Sequence, residues 1–178
     1  MMISACTDGD DAFTELQSYP LDDVEEVMSR YALSLDTSTS SDGAGSLRVT
    51  LLAPRTAEDS LRSAKPLTIR LVETGDIDVE DAMLIYRASI RSEDLRGMAY
   101  LEMWCVFADG SEYFSRGLNS PWTGTVPWST VETPFFLKAG QNPVNVRLNL
   151  VIEGRGTVWI DHLRLLRAAL PTTLGGSS

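Results

Sequence analysis

The chain has 178 residues, 43% of them apolar and 22% charged, which suits one globular domain able to bury about 70% of its unfolded surface without a metal or disulfide. Its formal charge of −10 is the wrong sign for neutralising phosphate, so nucleic acid is excluded as a partner and an anionic bilayer surface repels the chain. No run of about 18 apolar residues occurs, so no segment reads as a transmembrane helix. Of the 15 basic residues only Lys65 and Lys138 are lysine; the rest are arginine, whose planar fork binds carboxylates and hydroxyl-rich ligands.

Residues 1–18 read as a flexible acidic leader, with Asp8, Asp10, Asp11 and Glu15 and little apolar periodicity. Within it Ile3-Ser4-Ala5-Cys6 resembles the lipobox of bacterial lipoproteins. That resemblance implies a lipid anchor at Cys6 as the sole contact with a membrane, the leader as its tether, and a bacterial extracytoplasmic setting (periplasmic, cell-surface or secreted). A lipobox follows a charged and an apolar segment, whereas only Met1 and Met2 precede this one; either a signal has been trimmed away or the match is chance. Residues 20–31 place Leu21, Val24, Val27, Met28 and Tyr31 on a helical stripe with acidic residues at its start. A helix is favoured there, and an irregular first strand is the alternative.

Residues 36–45 are dense in turn formers and form a loop. A strand follows at 46–52, then a polar connection at 54–66 with a helical turn at 58–62, and a strand at 67–73 with Leu67, Ile69 and Leu71 inward. After an acidic turn at 76–81 come strands at 83–91 and 98–110. In the second of these Leu101, Met103, Cys105 and Phe107 alternate with Tyr100, Glu102, Trp104 and Val106; the first set belongs in a core and the second on a face meeting water or ligand. Cys105 is thus a buried, inert thiol. Asp109-Gly110 turns the chain into a short strand at 112–116. A long loop at 117–128 precedes strands at 129–137, 144–152 and 157–166. Residues 168–178 end in Gly-Gly-Ser-Ser and read as a disordered tail.

The whole is all-β: an antiparallel β-sandwich of jelly-roll type with about eight or nine strands, occupying residues 19–167. Three segments carry a resemblance: S-S-D-G-A-G-S-L-R-V at 40–49, A-Y-L-E-M-W-C-V-F at 99–107 and G-R-G-T-V-W-I-D-H-L-R-L at 154–165. Their order and spacing resemble the jelly-roll carbohydrate-binding modules of families 4, 9 and 22, within the galactose-binding-like superfamily. The nearest resemblance is to small bacterial proteins built around one such domain. It implies a structural calcium ion held by the Asp42 loop, including its carbonyls, and by Asp161. The family often has two adjacent acids where this chain has Asp161-His162, so one candidate ligand is missing.

The outward phase of the strands sets the candidate binding residues. Tyr100, Glu102 and Trp104 face away from the core, with Arg87 and Arg91 of the preceding strand and Asn145, Arg147 and Asn149 expected as neighbours. Aromatic faces cover the C–H patches of a sugar, while planar charges and amides bind its hydroxyls. The plainer reading is a solvated sheet face on which Glu102 pairs with an arginine. Trp122, in the long loop, is a second candidate at the sandwich rim; Trp128 plugs the end of the core, and Trp159, in phase with Leu163 and Leu165, reads as core. Catalysis has little support, since His162 is the only histidine and no nucleophile, phosphate-loop or zinc motif occurs. The expectation is a non-catalytic module for a glycan on this face. The alternative is a structural or interaction subunit that docks a protein partner through the same face or the loop rim.

Overall fold

The computed structural model describes residues 12–27, 32–52, 65–75 and 77–171. They form β1 (Phe13–Tyr19), β2 (Leu33–Asp36), β3 (Ser46–Leu51), β4 (Leu67–Gly75), β5 (Ala82–Val106), β6 (Glu112–Arg116), β7 (Trp122–Leu137) and β8 (Asn145–Ala168), with one 3-10 turn at Val24–Glu26. Every pairing is antiparallel. The all-β class follows from the alternation along these segments, as expected.

β5 and β8 run 25 and 24 residues and pair from Met83↔Ala168 to Val106↔Asn145. Each was expected as two strands. They are continuous, but each contributes its halves to different layers. In one layer residues 82–93 of β5 lie beside residues 157–168 of β8, flanked by β7 on one side and by β1 and β3 on the other. In the second, residues 99–106 lie beside residues 145–152, flanked by β6 and β4.

Glycines make the fold between layers. Gly97 (φ +125°) sits opposite Gly154 (φ +116°), with Gly156 at φ +136° close by. The backbones pass so closely that a Cβ on Gly97 would collide with the Glu153 carbonyl oxygen, and one on Gly154 with that of Arg96. Only glycine tolerates this combination.

Both layers turn apolar residues into one core. Leu84, Tyr86, Ala88 and Ile90 of the first share a cluster with Leu101, Met103 and Cys105 of the second, and with Val146, Leu148, Leu150 and Ile152 of β8. Met103 is fully buried and Trp104 only partly so, so the expected register of the central segment holds. Burial pushes the Cys105 thiol up to about 12, which leaves it protonated and inert.

Four expectations are corrected. Residues 13–18 are not leader but belong, with Tyr19, to strand β1; a bulge between Glu15 and Gln17 spaces Phe13, Leu16 and Tyr19 three apart and hides the two-residue period. The stripe over 20–31 gives only the Val24–Glu26 turn, because Leu21 at φ +63° breaks any helix at its start. The long loop shrinks to 117–121, since β7 begins at Trp122. Residue 168 is strand rather than tail. The lipobox and Cys6, the turn at 58–62, the ends of the 20–31 stretch beyond Val27 and residues 172–178 lie outside the described residues.

Candidate functional site

The outer face of the second layer is assembled in cross-strand rows. One row runs Arg116, Glu102, Asn149, Arg70; the next runs Phe114, Trp104, Arg147, Glu73. Side chains directly opposite on paired strands project to the same side, so each row is a line of neighbours. Val106 and Asn145 extend the patch at one end, and Tyr100 closes it at the other.

Glu102 is its centre. The carboxylate is nearly sealed, and three donors converge on it: Arg116 Nε at 2.6 Å, Trp104 Nε1 at 2.8 Å and Asn149 Nδ2 at 3.0 Å. Burial alone pushes its pKa up, but the bonds from Trp104, Arg116 and Asn149 outweigh burial and hold it below the ordinary carboxylate value. In return Glu102 raises the pKa of Arg116. Tyr100 donates its hydroxyl to Glu153 at 3.0 Å, and its pKa is raised by burial and then by that bond. Arg147 grips Glu112 with both terminal nitrogens, at 3.1 and 3.3 Å. The network holds Trp104 against Phe114, with ring centroids 4.9 Å apart and planes tilted by 43°, and Arg116 lies 4.4 Å over the Phe114 ring.

Six of the expected residues therefore come together: Tyr100, Glu102, Trp104, Asn145, Arg147 and Asn149. Three do not. Arg87 and Arg91 lie on the outer face of the other layer, because β5 folds at Gly97 between them and Trp104. There Arg87 pairs with Glu132 at 2.9 Å and covers the Phe13 ring, while Arg91 stacks on Trp159 and donates to Thr39. Trp122 is buried in the core as the first residue of β7; with no long loop to carry it, it cannot reach a ligand at the rim. Trp159 is corrected in the opposite sense. It is covered on the outer face by Arg91 and by Asp36, which accepts its Nε1 at 2.9 Å. His162 (φ +47°) inserts a bulge that reverses the inward phase between Ile160 and Leu163. Trp128 is part-buried, its Nε1 donating to Thr39.

Phe114 and Arg116 were missed. The Asp109-Gly110 turn held the signal: counting outward from Asp109 along a tight hairpin sets Arg116 opposite Glu102 and Phe114 opposite Trp104, as found.

The resemblance places calcium at the Asp42 loop and Asp161, and the two do meet. Asp161 Oδ2 accepts from Ser41 N at 2.7 Å, Asp42 N at 3.1 Å and the Ser41 hydroxyl at 3.0 Å, and Oδ1 accepts from His162 N. Gly43 N donates to Asp42 Oδ1, and Asp22 takes the two amides after it, Ala44 N and Gly45 N. The loop thus turns N–H groups, not carbonyls, toward the acids. Among the described residues no group of three or more His, Cys, Asp or Glu side chains could hold a metal ion. Calcium wants six to eight oxygen ligands, and this donor set does not fit it. Chelation with EDTA is expected to leave the melting temperature unchanged, whereas Asp161→Ala is expected to cost about 2 kcal/mol through its abandoned amide donors, read by urea unfolding.

No family model matches the chain, and no curated protein matches its sequence. Solved structures do match its shape. The CBM22-1 xylan-binding domain from Paenibacillus barcinonensis Xyn10C superposes with a TM-score of 0.56 at 12% identity, over 90% of this chain and 98% of that one. A family 16 carbohydrate-binding module superposes with a TM-score of 0.51, also at 12% identity, over 81% and 95%. The chain is built on the same β-sandwich as these carbohydrate-binding modules.

Proposed function

We propose that the chain is a non-catalytic module that binds a glycan on the outer face of its second layer. The carrying observation is the Trp104–Phe114 pair, partly exposed and fixed in orientation, set in a row of hydrogen-bonding side chains whose geometry is locked before any ligand arrives. Preorganised rings and planar polar groups are what a weakly hydrophobic, hydroxyl-rich ligand requires. The solved structures that share the fold include a xylan-binding domain, which supports the ligand class. No helix among the described residues is long and apolar enough to cross a membrane; such a module works where polysaccharide is met, outside the cytoplasm.

Screening the chain against an array of plant and bacterial wall glycans is expected to give hits. Trp104→Ala is then expected to weaken the best of them at least about tenfold, or about 1.4 kcal/mol, with the fold retained. An array without hits sinks the reading. The protein-docking alternative rests on Tyr113 and Phe114, both exposed on edge strand β6. A blank array combined with concentration-dependent oligomers that Phe114→Ala dissolves would favour it.

A further inference from the structure

On the outer face of the other layer, beside the glycine fold, lies an open cavity of about 630 Å³. That is within the range of small-ligand sites, about 300–1,000 Å³. Its wall holds Arg96 and Arg155, which are direct cross-strand partners in the β5–β8 pairing. Like charges facing each other on neighbouring strands destabilise a sheet. Among the described residues neither arginine has an ion pair or side-chain hydrogen bond, although the chain as a whole carries an excess of acid. Arg48 adds a third guanidinium to the same cavity, partly shared with Asp36 at 3.4 Å. An anion between the two arginines would gain two planar forks.

The rest of the lining says what kind of anion. Thr50 and Thr157 present hydroxyls 3.4 Å apart, Glu93 and Asp94 present carboxylates, and the Trp159 indole forms part of the floor. Acids in the same cavity work against a bare inorganic anion and suit a ligand that also donates hydroxyl protons. We propose that this cavity binds a carboxylate-bearing sugar, its carboxylate held between Arg96 and Arg155 and its hydroxyls taken by Glu93, Asp94 and the two threonines. The site lies on the opposite layer from Trp104 and does not depend on the reading given to that face.

The test is calorimetric titration of the whole chain with trigalacturonic acid, with neutral galactotriose and with sodium sulfate. Trigalacturonic acid is expected to bind at least about tenfold more tightly than galactotriose. The double variant Arg96→Gln with Arg155→Gln is expected to abolish that preference while melting at or above the wild-type temperature, since it removes a repulsion. Trp104→Ala is expected to leave the acidic-sugar affinity unchanged. The proposal is overturned by absence of binding at millimolar ligand, by affinity that survives the double variant, by sulfate competing as well as the trisaccharide, or by a double variant that melts well below wild type, which would make the arginines structural.

Discussion

Glu102→Ala is expected to lower stability by about 3 kcal/mol, because it strips the partner from one cation and two neutral donors in a nearly sealed position. In a chain of this length that corresponds to a fall in melting temperature of roughly 6–12 °C. Arg116 is more than a third exposed and recovers water, so the loss falls mainly on Trp104 Nε1 and Asn149. Glu102→Gln keeps the shape and is expected to cost less, about 1–2 kcal/mol. The pH dependence follows from the depressed pKa. The contribution of Glu102 is fully present above the unfolded carboxylate value, near 4.5, and is lost as pH falls through the lower folded value. The acid limb of a urea-midpoint profile should therefore be flatter in Glu102→Gln. An unchanged midpoint in Glu102→Ala would show that the three bonds do not hold the face together.

The second large effect is expected at the glycine fold. Gly97→Ala and Gly154→Ala each force a Cβ into a carbonyl oxygen of the opposite strand at a positive φ that other residues avoid. Each is expected to cost about 4 kcal/mol or more, seen as loss of soluble protein or a collapsed thermal transition. Gly110→Ala is the control. It also has positive φ, at +82°, but nothing lies within 4 Å of the added carbon, so only the backbone penalty of about 1 kcal/mol remains. If all three behave alike, close approach is not what the fold requires of Gly97 and Gly154.

The contrast between what the sequence made legible and what it hid has a physical basis. Alternation exposed the strands, and it set Met103 inward and Trp104 outward correctly, because a buried layer punishes a one-residue slip along its whole length. The hairpin at Asp109-Gly110 even contained the pairing of Glu102 with Arg116. What alternation cannot express is its own interruption. The bulge at His162 put Trp159 on the wrong side, the bulge after Glu15 disguised β1 as leader, and the turn in β5 at Gly97 carried Arg87 and Arg91 away from Trp104. In each case the period is reset by one or two residues of backbone, and at His162 and Gly97 a positive φ does the resetting. The clasp on Asp161 escaped notice for a different reason: a carboxylate that receives amides and one that coordinates a cation are the same letters in the sequence.

The pairing of β5 with β8 also governs how the chain reaches this structure. Val106 meets Asn145 across a modest stretch of intervening chain, but each further pair toward Met83 and Ala168 closes a longer one. Assembly from the Val106 end inward, with the crossing at Gly97 and Gly154 as the midpoint, therefore spreads the entropic cost in small steps. Because one ribbon supplies the middle of both walls, neither wall can form alone and wait for the other. Refolding should be a single slow phase, on the order of milliseconds to seconds, rather than the docking of two finished halves.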